Sequence, residues 1–416
     1  MIQKLPGVED VFPDRIDKWN RIINTAREAF RLYNFKEIII PIMECTEVFQ
    51  RGLGDTTDIV SKEMFTFEDR GGRSLTLRPE GTASVVRAYV ENGEYNRLAL
   101  AKFFYIGPMF RAERPQKGRL RQFNQFGAEL FGSGDPYYDY EIIAMVNRII
   151  QELGITNYSL LLNSIGCTSC RAAYVNELKT YYIENEESLC RDCKARLYKN
   201  VMRLLDCKDE NCRKIRQGAP VITNFLDDEC RGHHEKLKSY LTDANIPFVE
   251  DPFLVRGLDY YTKTTFEFVS DELGGQNAFA AGGRYDNLVA HFHGKPTPGI
   301  GFAAGIERML ILTEHMPAES PSLDVFVMHT SEHSQPAALA LTRKLRDVGI
   351  SADVVPQGGG LKSQFKRAER DRAFAAAIVS DNAASVQVKV CNSEEQADIP
   401  FDEAVAHLQK VISMGR

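Results

Sequence analysis

The spacing of apolar positions changes several times along the chain, and each change marks a different element. In WNRIINTAREAFRLY, residues 19–33, Ile22, Ile23, Ala26 and Phe30 recur at helical spacing, so one helix face is apolar. FKEIIIPIM, residues 35–43, is a β-rich run broken by Pro41. A proline removes a backbone donor and suits an edge or interface strand. Short strands are predicted at 63–67, 74–77, 103–111 and 121–131, with a helix at 82–89 among them. Strands following strands with few helices between them form a largely antiparallel sheet. A helix over 140–153 and a strand over 158–163 come next. The strand pattern resumes at 247–253 and 264–269, passes through a Gly-rich stretch, and ends in a helix-like 301–313.

The Pro/Ser-rich HMPAESPS, residues 315–322, reads as a linker. Beyond it strands and helices alternate: strand 324–328, helix 335–346, strand 352–355, a helix from 361, strands 374–379 and 386–390, helix 402–412. That order predicts a separate α/β domain. The fold class is therefore α+β in the first part and α/β in the last, with divisions at 1–166, 167–232, 233–316 and 324–416.

Length and charge narrow the partners. A chain of 416 residues accommodates two or three domains. The formal charge of −6 advertises no nucleic acid globally, so any such partner must meet local patches. No apolar targeting run follows Met1 and none is long enough to span a bilayer, which makes a cytoplasmic protein without membrane contact the expectation. Nine cysteines, an odd number, argue for reduced thiols or metal ligands rather than a disulfide framework.

The densest chemistry lies in residues 103–132. Arg111, Glu113, Arg114, Lys117, Arg119 and Arg121 sit between two apolar runs, a hairpin presenting guanidiniums to a polyanion. Phe123, Phe126 and Leu130 alternate loosely with Asn124, Gln125 and Glu129, polar groups placed to line a cavity floor. In LTLRPEGTASVVR, residues 75–87, Glu80, Gly81 and Thr82 stand at a strand-to-helix turn, where they serve either a site or helix capping. LVRGLDYYTKTTFEF, 254–268, groups Arg256, Asp259, Tyr260 and Tyr261; an Arg–Asp ion pair stapling the turn is the plainer alternative. FAAGGRYDNL, 279–288, and GIGFAAGIERML, 299–310, end Gly-rich runs in Arg284 and Arg308. Bare backbone beside an arginine suits a nucleotide, although Glu307 beside Arg308 equally suggests a packed ion pair. Together these groups fit phosphoryl or nucleotidyl transfer, where positioning and electrostatics dominate.

RPEGTA at 78–83, YIGPMFRAERPQKGRLRQF at 105–123, LVRGLDYY at 254–261, AGGRYDNLV at 281–289 and GFAAGIER at 301–308 occur in that order. In them the chain closely resembles class II histidyl-tRNA synthetases over nearly its whole length. The resemblance implies an antiparallel-sheet catalytic core with a helical insertion at 167–232, a C-terminal anticodon-binding α/β domain, and a homodimer formed around Pro41. It implies that histidine is joined to its tRNA through a histidyl-adenylate made from ATP, with Mg²⁺ accompanying the ATP. Residue by residue, Glu129 is expected to receive the histidine α-ammonium and Gln125 to lie near its carboxylate. Glu80, Gly81, Thr82, Tyr260, Tyr261 and Tyr285 surround the imidazole. Arg111 and Arg256 hold the α-phosphate and the attacking carboxylate; Glu113, Arg119 and Arg308 belong to ATP. Arg114 and Gln116 are expected at the tRNA. Paralogues of these synthetases act as histidine-sensing subunits of a phosphoribosyltransferase, but typically lose the catalytic arginines and the anticodon domain.

Two features stand outside that core. Lys362, Lys366, Arg367 and Arg370 share one helix face after a Gly-Gly-Gly turn, read either as a solvated face or as an RNA backbone contact. Six cysteines lie between Cys167 and Cys212, and residues 190–216 carry nine Lys/Arg against four Asp/Glu. Cys167, Cys170, Cys190 and Cys193 have the spacing of a tetrathiolate zinc site. Cys207 and Cys212 are alternative partners for Cys190 and Cys193, and unligated reduced thiols are the plain alternative.

Overall fold

The structure, a computed structural model, describes residues 2–54, 57–116, 118–275, 277–315, 323–355, 360–391, 393 and 396–415. Lys117, most of the 315–322 linker and the first two glycines of the Gly-Gly-Gly turn lie outside the described residues. The chain divides into two compact units, residues 1–317 and 318–416.

The first unit is built on an eight-stranded sheet. Its strands lie side by side in the order Lys36–Glu37, Ala101–Phe110, Gln122–Phe131, Gly299–Gly305, Ala278–Arg284, Thr262–Val269, Ser159–Ser164 and Val249–Glu250. The six central strands pair antiparallel, and the two short edge strands pair parallel. Along Gln122–Phe131 the side chains alternate between faces. Phe126, Ala128 and Leu130 join a core with helices Pro13–Leu32, Pro136–Glu152, Asp228–Asp243 and Ile306–Leu312. Phe30, fully buried, stacks on Phe104 with ring centroids 4.4 Å apart. The opposite face carries Gln125, Gly127 and Glu129.

A smaller three-stranded sheet, Met43–Cys45, Ser74–Leu77 and Phe65–Glu68 in that order, follows Pro41. Its first strand is an edge, as the proline implied. The stretch expected as a strand from residue 63 begins with a wide, π-helical turn, Ile59–Glu63, and reaches the sheet only at Phe65. The strand expected over 247–253 shortens to Val249–Glu250, because Asn163 Nδ2 donates to the carbonyls of Pro252 and Leu254 and holds the rest as a loop.

The helix-like reading of 301–313 is corrected. Residues 299–305 are a strand and the helix starts at Ile306. A Cβ on Gly301 would lie 1.7 Å from Glu129 Oε2. The small residues there answer a close approach in the sheet, not a helix face. Ala278–Arg284 is a strand for similar reasons: a Cβ on Gly283 would lie 2.8 Å from the Tyr261 ring.

The stretch 167–232 is helical, with Thr168–Glu184, Arg191–Leu197 and Glu210–Arg216 joined by short 3-10 turns. The following helix, Asp228–Asp243, carries Cys230 near its start and Leu237 and Leu241 into the main core.

The second unit is a five-stranded sheet in the order Ala352–Val354, Leu323–His329, Ala373–Val379, Ser385–Val390 and Gln396–Pro400. The first three strands are parallel and the last two antiparallel. Helices Gln335–Asp347, Leu361–Arg370 and Ala404–Gly415 cover it. The strand at 396–400 was not expected; its exposed and half-buried residues alternate as on an edge. No described helix is long and apolar enough to cross a membrane.

Candidate active site

The antiparallel sheet creates a cleft by using very small side chains on one face. Gly127, Ala303 and Ala281 lie abreast on neighbouring strands, and the next row is Glu129, Gly301 and Gly283. With little side-chain volume above them, a cleft of about 740 Å³ opens over the sheet. Arg111, Glu113, Arg119, Gln125, Arg256 and Arg308 line it.

The hairpin supplies two of these arginines. Arg111 Nε donates to the Pro79 carbonyl at 3.0 Å, and its guanidinium lies over the Phe123 ring, 5.2 Å from the centroid. Arg119 pairs with Glu113 at 2.8 Å. The hairpin tip closes through paired backbone bonds between Gln116 and Arg119, which leaves Arg114 and Gln116 exposed. Arg308 projects from the first turn of Ile306–Leu312 and donates to the carbonyls of Gly118 and Ala278. Burial, then the charges of Arg119 and Arg111, push its pKa down to about 10. Glu307 does not pair with it; both Glu307 oxygens accept from the Asn124 backbone N–H at 2.9 Å. Arg256 pairs with Glu267, not with Asp259 as the alternative reading had it. Asp259 instead accepts from Asn200 at 3.0 Å.

Beneath the cleft sits a compact group of polar residues. Glu129 is fully buried, with Oε1 accepting from Thr82 Oγ1 at 2.6 Å and Oε2 from the Tyr285 hydroxyl. Burial pushes its pKa up to about 8, against the lowering effect of those bonds, and nearby Glu80 adds to the rise. Glu80 accepts from the backbone N–H groups of Thr82 and Ala83, both at 2.8 Å. It does cap the helix Thr82–Glu91, and in doing so it stands beside the Glu129 group. Gly81 makes room for Tyr105, since a Cβ there would lie 2.3 Å from the ring. Tyr260, Tyr261 and Tyr285 close the group, with ring centroids 4.6 Å and 5.6 Å from Tyr260 to its two neighbours.

Three polar atoms here lack hydrogen-bond partners among the described residues: Gln125 Oε1, the Tyr105 hydroxyl and Arg256 Nε. Buried groups of this kind are rare in folded proteins unless a ligand or water completes them. Sequence reasoning missed Tyr105 and Glu267. Tyr105 pairs across the hairpin with Gly127, and a buried tyrosine facing a glycine was the available signal. Glu267 carried none, because its value comes from facing Arg256.

Two expectations are corrected. Arg284 does not reach the cleft. It is fully buried against Asp139, with Asp286 and the Ser133 carbonyl as further partners. Nor do Cys167 and Cys170 meet Cys190 and Cys193. The sulfurs fall into two separate groups, Cys190, Cys193, Cys207 and Cys212, and Cys167, Cys170 and Cys230 with Asp227. The spacing between the two Cys-x2-Cys pairs is that of a zinc site, but the helix Thr168–Glu184 carries the chain away between them.

In the second unit, Lys362, Lys366 and Arg370 are exposed on the helix Leu361–Arg370, while Arg367 pairs with Asp353 and Asp371 at 3.5 Å. Gln364 docks this helix by exchanging hydrogen bonds with the His329 backbone.

A family profile described as Histidyl-tRNA synthetase matches residues 7–309, and one described as Anticodon binding domain matches 324–411. The histidine–tRNA ligase of Halothermothrix orenii is 48% identical over 98% of this chain and 98% of its own length. That of Natranaerobius thermophilus is 43% identical over 98% of this chain and 100% of its own. The crystal structure of the apo histidyl-tRNA synthetase of S. aureus superposes with a TM-score of 0.82 at 36% identity, covering 98% of this chain and all of the other. The arginine-lined cleft above a buried carboxylate and this full-length similarity agree: the chain belongs to the histidyl-tRNA synthetase family of histidine–tRNA ligases.

Proposed function

We propose that the cleft and the buried Glu129 group divide the family's reaction between them, ATP above and histidine below. One observation carries the division. Arg111, Arg119, Arg256 and Arg308 surround a single cleft, and on one strand Gln125 and Glu129 lead from it into the buried polar group.

In the first step the histidine carboxylate attacks the α-phosphorus of ATP. The bond from that phosphorus to the oxygen bridging to the β-phosphate breaks, and pyrophosphate leaves with the electron pair. Arg111 and Arg256 hold the α-phosphate oxygens and the attacking carboxylate, where charge grows in the transition state. Arg308 and Arg119 lie along the rest of the triphosphate. In the second step a ribose hydroxyl at the tRNA end attacks the acyl carbon, and AMP leaves.

Glu129 takes the histidine α-ammonium. A buried carboxylate held near neutrality by burial becomes the best partner for an incoming cation once that cation arrives. Gln125, with a free carbonyl oxygen, lies between that ammonium and the phosphates. Tyr105, Tyr260, Tyr261 and Tyr285, with Glu80 and Thr82, supply donors and acceptors for the two imidazole nitrogens.

The family uses ATP with Mg²⁺. A hard cation takes oxygen ligands, and the carboxylates of Glu113 and Glu267 line the cleft beside the guanidiniums, so the residues fit the ion. When bound, it supplies further neutralisation of the departing pyrophosphate. The thiols of the insertion are read as zinc ligands, outside the chemistry of the cleft.

Arg114 and Gln116 at the hairpin tip and Lys362 and Lys366 in the second unit are assigned to tRNA. A second copy of the chain is assigned to the strip around Pro41, where Ile39, Ile42, Met43 and Phe67 are exposed, Ile39 to 91%. Apolar exposure of that kind calls for a partner. The cytoplasm is the assigned compartment.

The test is exchange of labelled pyrophosphate into ATP by the purified chain with histidine. Histidine-dependent exchange is expected, and its loss is expected in Arg256→Ala with the fold intact. A folded chain without exchange would overturn the reading.

A further inference from the structure

We infer that the insertion holds two zinc ions, one at Cys190, Cys193, Cys207 and Cys212 and one at Cys167, Cys170, Asp227 and Cys230, and that the first fixes a wall of the cleft.

In each group the candidate ligand atoms all lie within 4.8 Å of one another. Four sulfurs ~2.3 Å from a central zinc form a tetrahedron with edges of ~3.8 Å, and Cys190 Sγ lies 3.8 Å from Cys207 Sγ. In the second group Cys167 Sγ lies 3.5 Å from Cys170 Sγ and 3.2 Å from Asp227 Oδ2. Backbone N–H groups point at the sulfurs, as they do around thiolates. Cys193 N donates to Cys190 Sγ at 3.4 Å, Cys190 N to Cys212 Sγ at 3.3 Å, and Asp227 N to Cys170 Sγ at 3.2 Å. Such outer contacts orient and stabilise metal-bound sulfur. The two groups take up seven of the nine cysteines, which explains an odd number without any disulfide.

Charge supports the first group independently. Zinc with four thiolates carries two net negative charges once the thiol protons have passed to solvent. Residues 190–216, which enclose it, carry nine Lys/Arg and four Asp/Glu. The helices bearing Cys193 and Cys212 are only seven residues each, too short to persist without a tertiary clamp. A tetrathiolate centre would provide one.

The clamp reaches the cleft through named contacts. Cys190 and Cys207 line the cleft with Arg196 and Arg203. These two arginines, between the two halves of the sulfur group in sequence, both pair with Asp58, at 3.2 Å and 2.7 Å. Asn200 holds Asp259. Arg203 also lies against Gly257, where a Cβ would come within 2.9 Å of its Nη1, next to Arg256. The first ion thus positions the loop bearing Arg256. This last step rests on the cleft being the ATP site; the metal assignment does not.

The experiment starts with the full chain, expressed with zinc and purified without chelator. Metal is counted by mass spectrometry and by release to a colorimetric chelator as a mercurial titrates the thiols. About two equivalents of zinc are expected, in two release steps. Cys193→Ser/Cys212→Ser and Cys170→Ser/Cys230→Ser should each lose about one. Fewer than about half an equivalent in the unaltered chain, which needs no variant to fold, overturns the proposal. So does an unchanged zinc content in both folded double variants. Removing the first ion should raise the KM for ATP in pyrophosphate exchange about tenfold while kcat falls less. An unchanged KM overturns the positioning role. Zinc without exchange in the intact chain would count against the ligase reading alone.

Discussion

Arg284 ends one glycine-rich strand and Arg308 stands in the first turn of the helix that follows another on the same sheet, yet they lead different lives. Arg284 is completely buried and ringed by Asp139 and Asp286. Burial alone would lower its pKa, but Asp139 outweighs it and holds the guanidinium above its usual range. Asp139 also accepts from His233 at 2.7 Å and Thr264 at 2.5 Å. Among the described residues Arg308 donates to carbonyls; burial and the charges of Arg119, Arg111 and Arg256, against that of Glu113, lower its pKa. One arginine has its counter-charge built in. The other has no such partner at bonding distance among the described residues, and in the proposed function a triphosphate supplies it. The residue type is the same; the local balance of charge separates structure from function.

That contrast can be broken at either end. Arg284→Met should cost about 3–5 kcal/mol of stability, because it strands the Asp139 carboxylate without its cation. Urea unfolding measures this, and a loss below about 1 kcal/mol would remove the node from the scaffold. Arg308→Met should do the reverse. Exchange should fall by about 10²–10³ while the urea midpoint shifts far less than in Arg284→Met, since the partners left behind are the neutral carbonyls of Gly118 and Ala278 and not a buried charge.

Glu129 extends the contrast to carboxylates. Its folded pKa of about 8 lies above the ordinary value of 4.5. Its burden on the fold is therefore absent below about 4.5, grows as pH rises, and is complete above 8. Glu129→Gln should thus gain stability relative to the unaltered chain across that window, by at most about 1.4 kcal/mol per pH unit. The same variant should bind histidine far more weakly. A stability difference that does not change between pH 5 and 8 would refute the buried, protonated state. The smallest effect is expected at the surface. Lys362→Ala and Lys366→Ala should leave exchange unchanged and each lower the salt slope of tRNA binding by about 1.

Much of this was legible in the chain. Period changes located most strands and helices, since burial on one face imposes them. The arginine-bearing hairpin and the run from Gln125 to Glu129 stood out through residue type alone, and the fold brings Arg111, Arg119 and Gln125 to one cleft. What stayed hidden depends on partners distant in sequence. Arg284 and Arg308 have the same neighbourhood of glycines, and only Asp139, 145 residues away from Arg284, tells them apart. Residues 301–305 of the strand Gly299–Gly305 read as helical because their glycines and alanines answer to Glu129 across the sheet, and not to a period of their own. The cysteine spacing was consistent with several pairings, and the path of the helix Thr168–Glu184 chose among them. Tyr105 went unnoticed because an aromatic residue in an apolar strand is ordinary until its hydroxyl is seen to lack a partner.

The alternation along Gln122–Phe131 has a consequence of another kind. Phe126, Ala128 and Leu130 hold the sheet to its helices, while Gln125, Gly127 and Glu129 lie on the opposite face, toward the candidate site. Instructions for folding and for chemistry are thus interleaved letter by letter in one ten-residue sentence. Substitution edits one text and spares the other. Loss of a single residue would transpose both at once, setting Glu129 among phenylalanines and an apolar side chain in the place of its carboxylate. This strand can change its letters over time, but not its length.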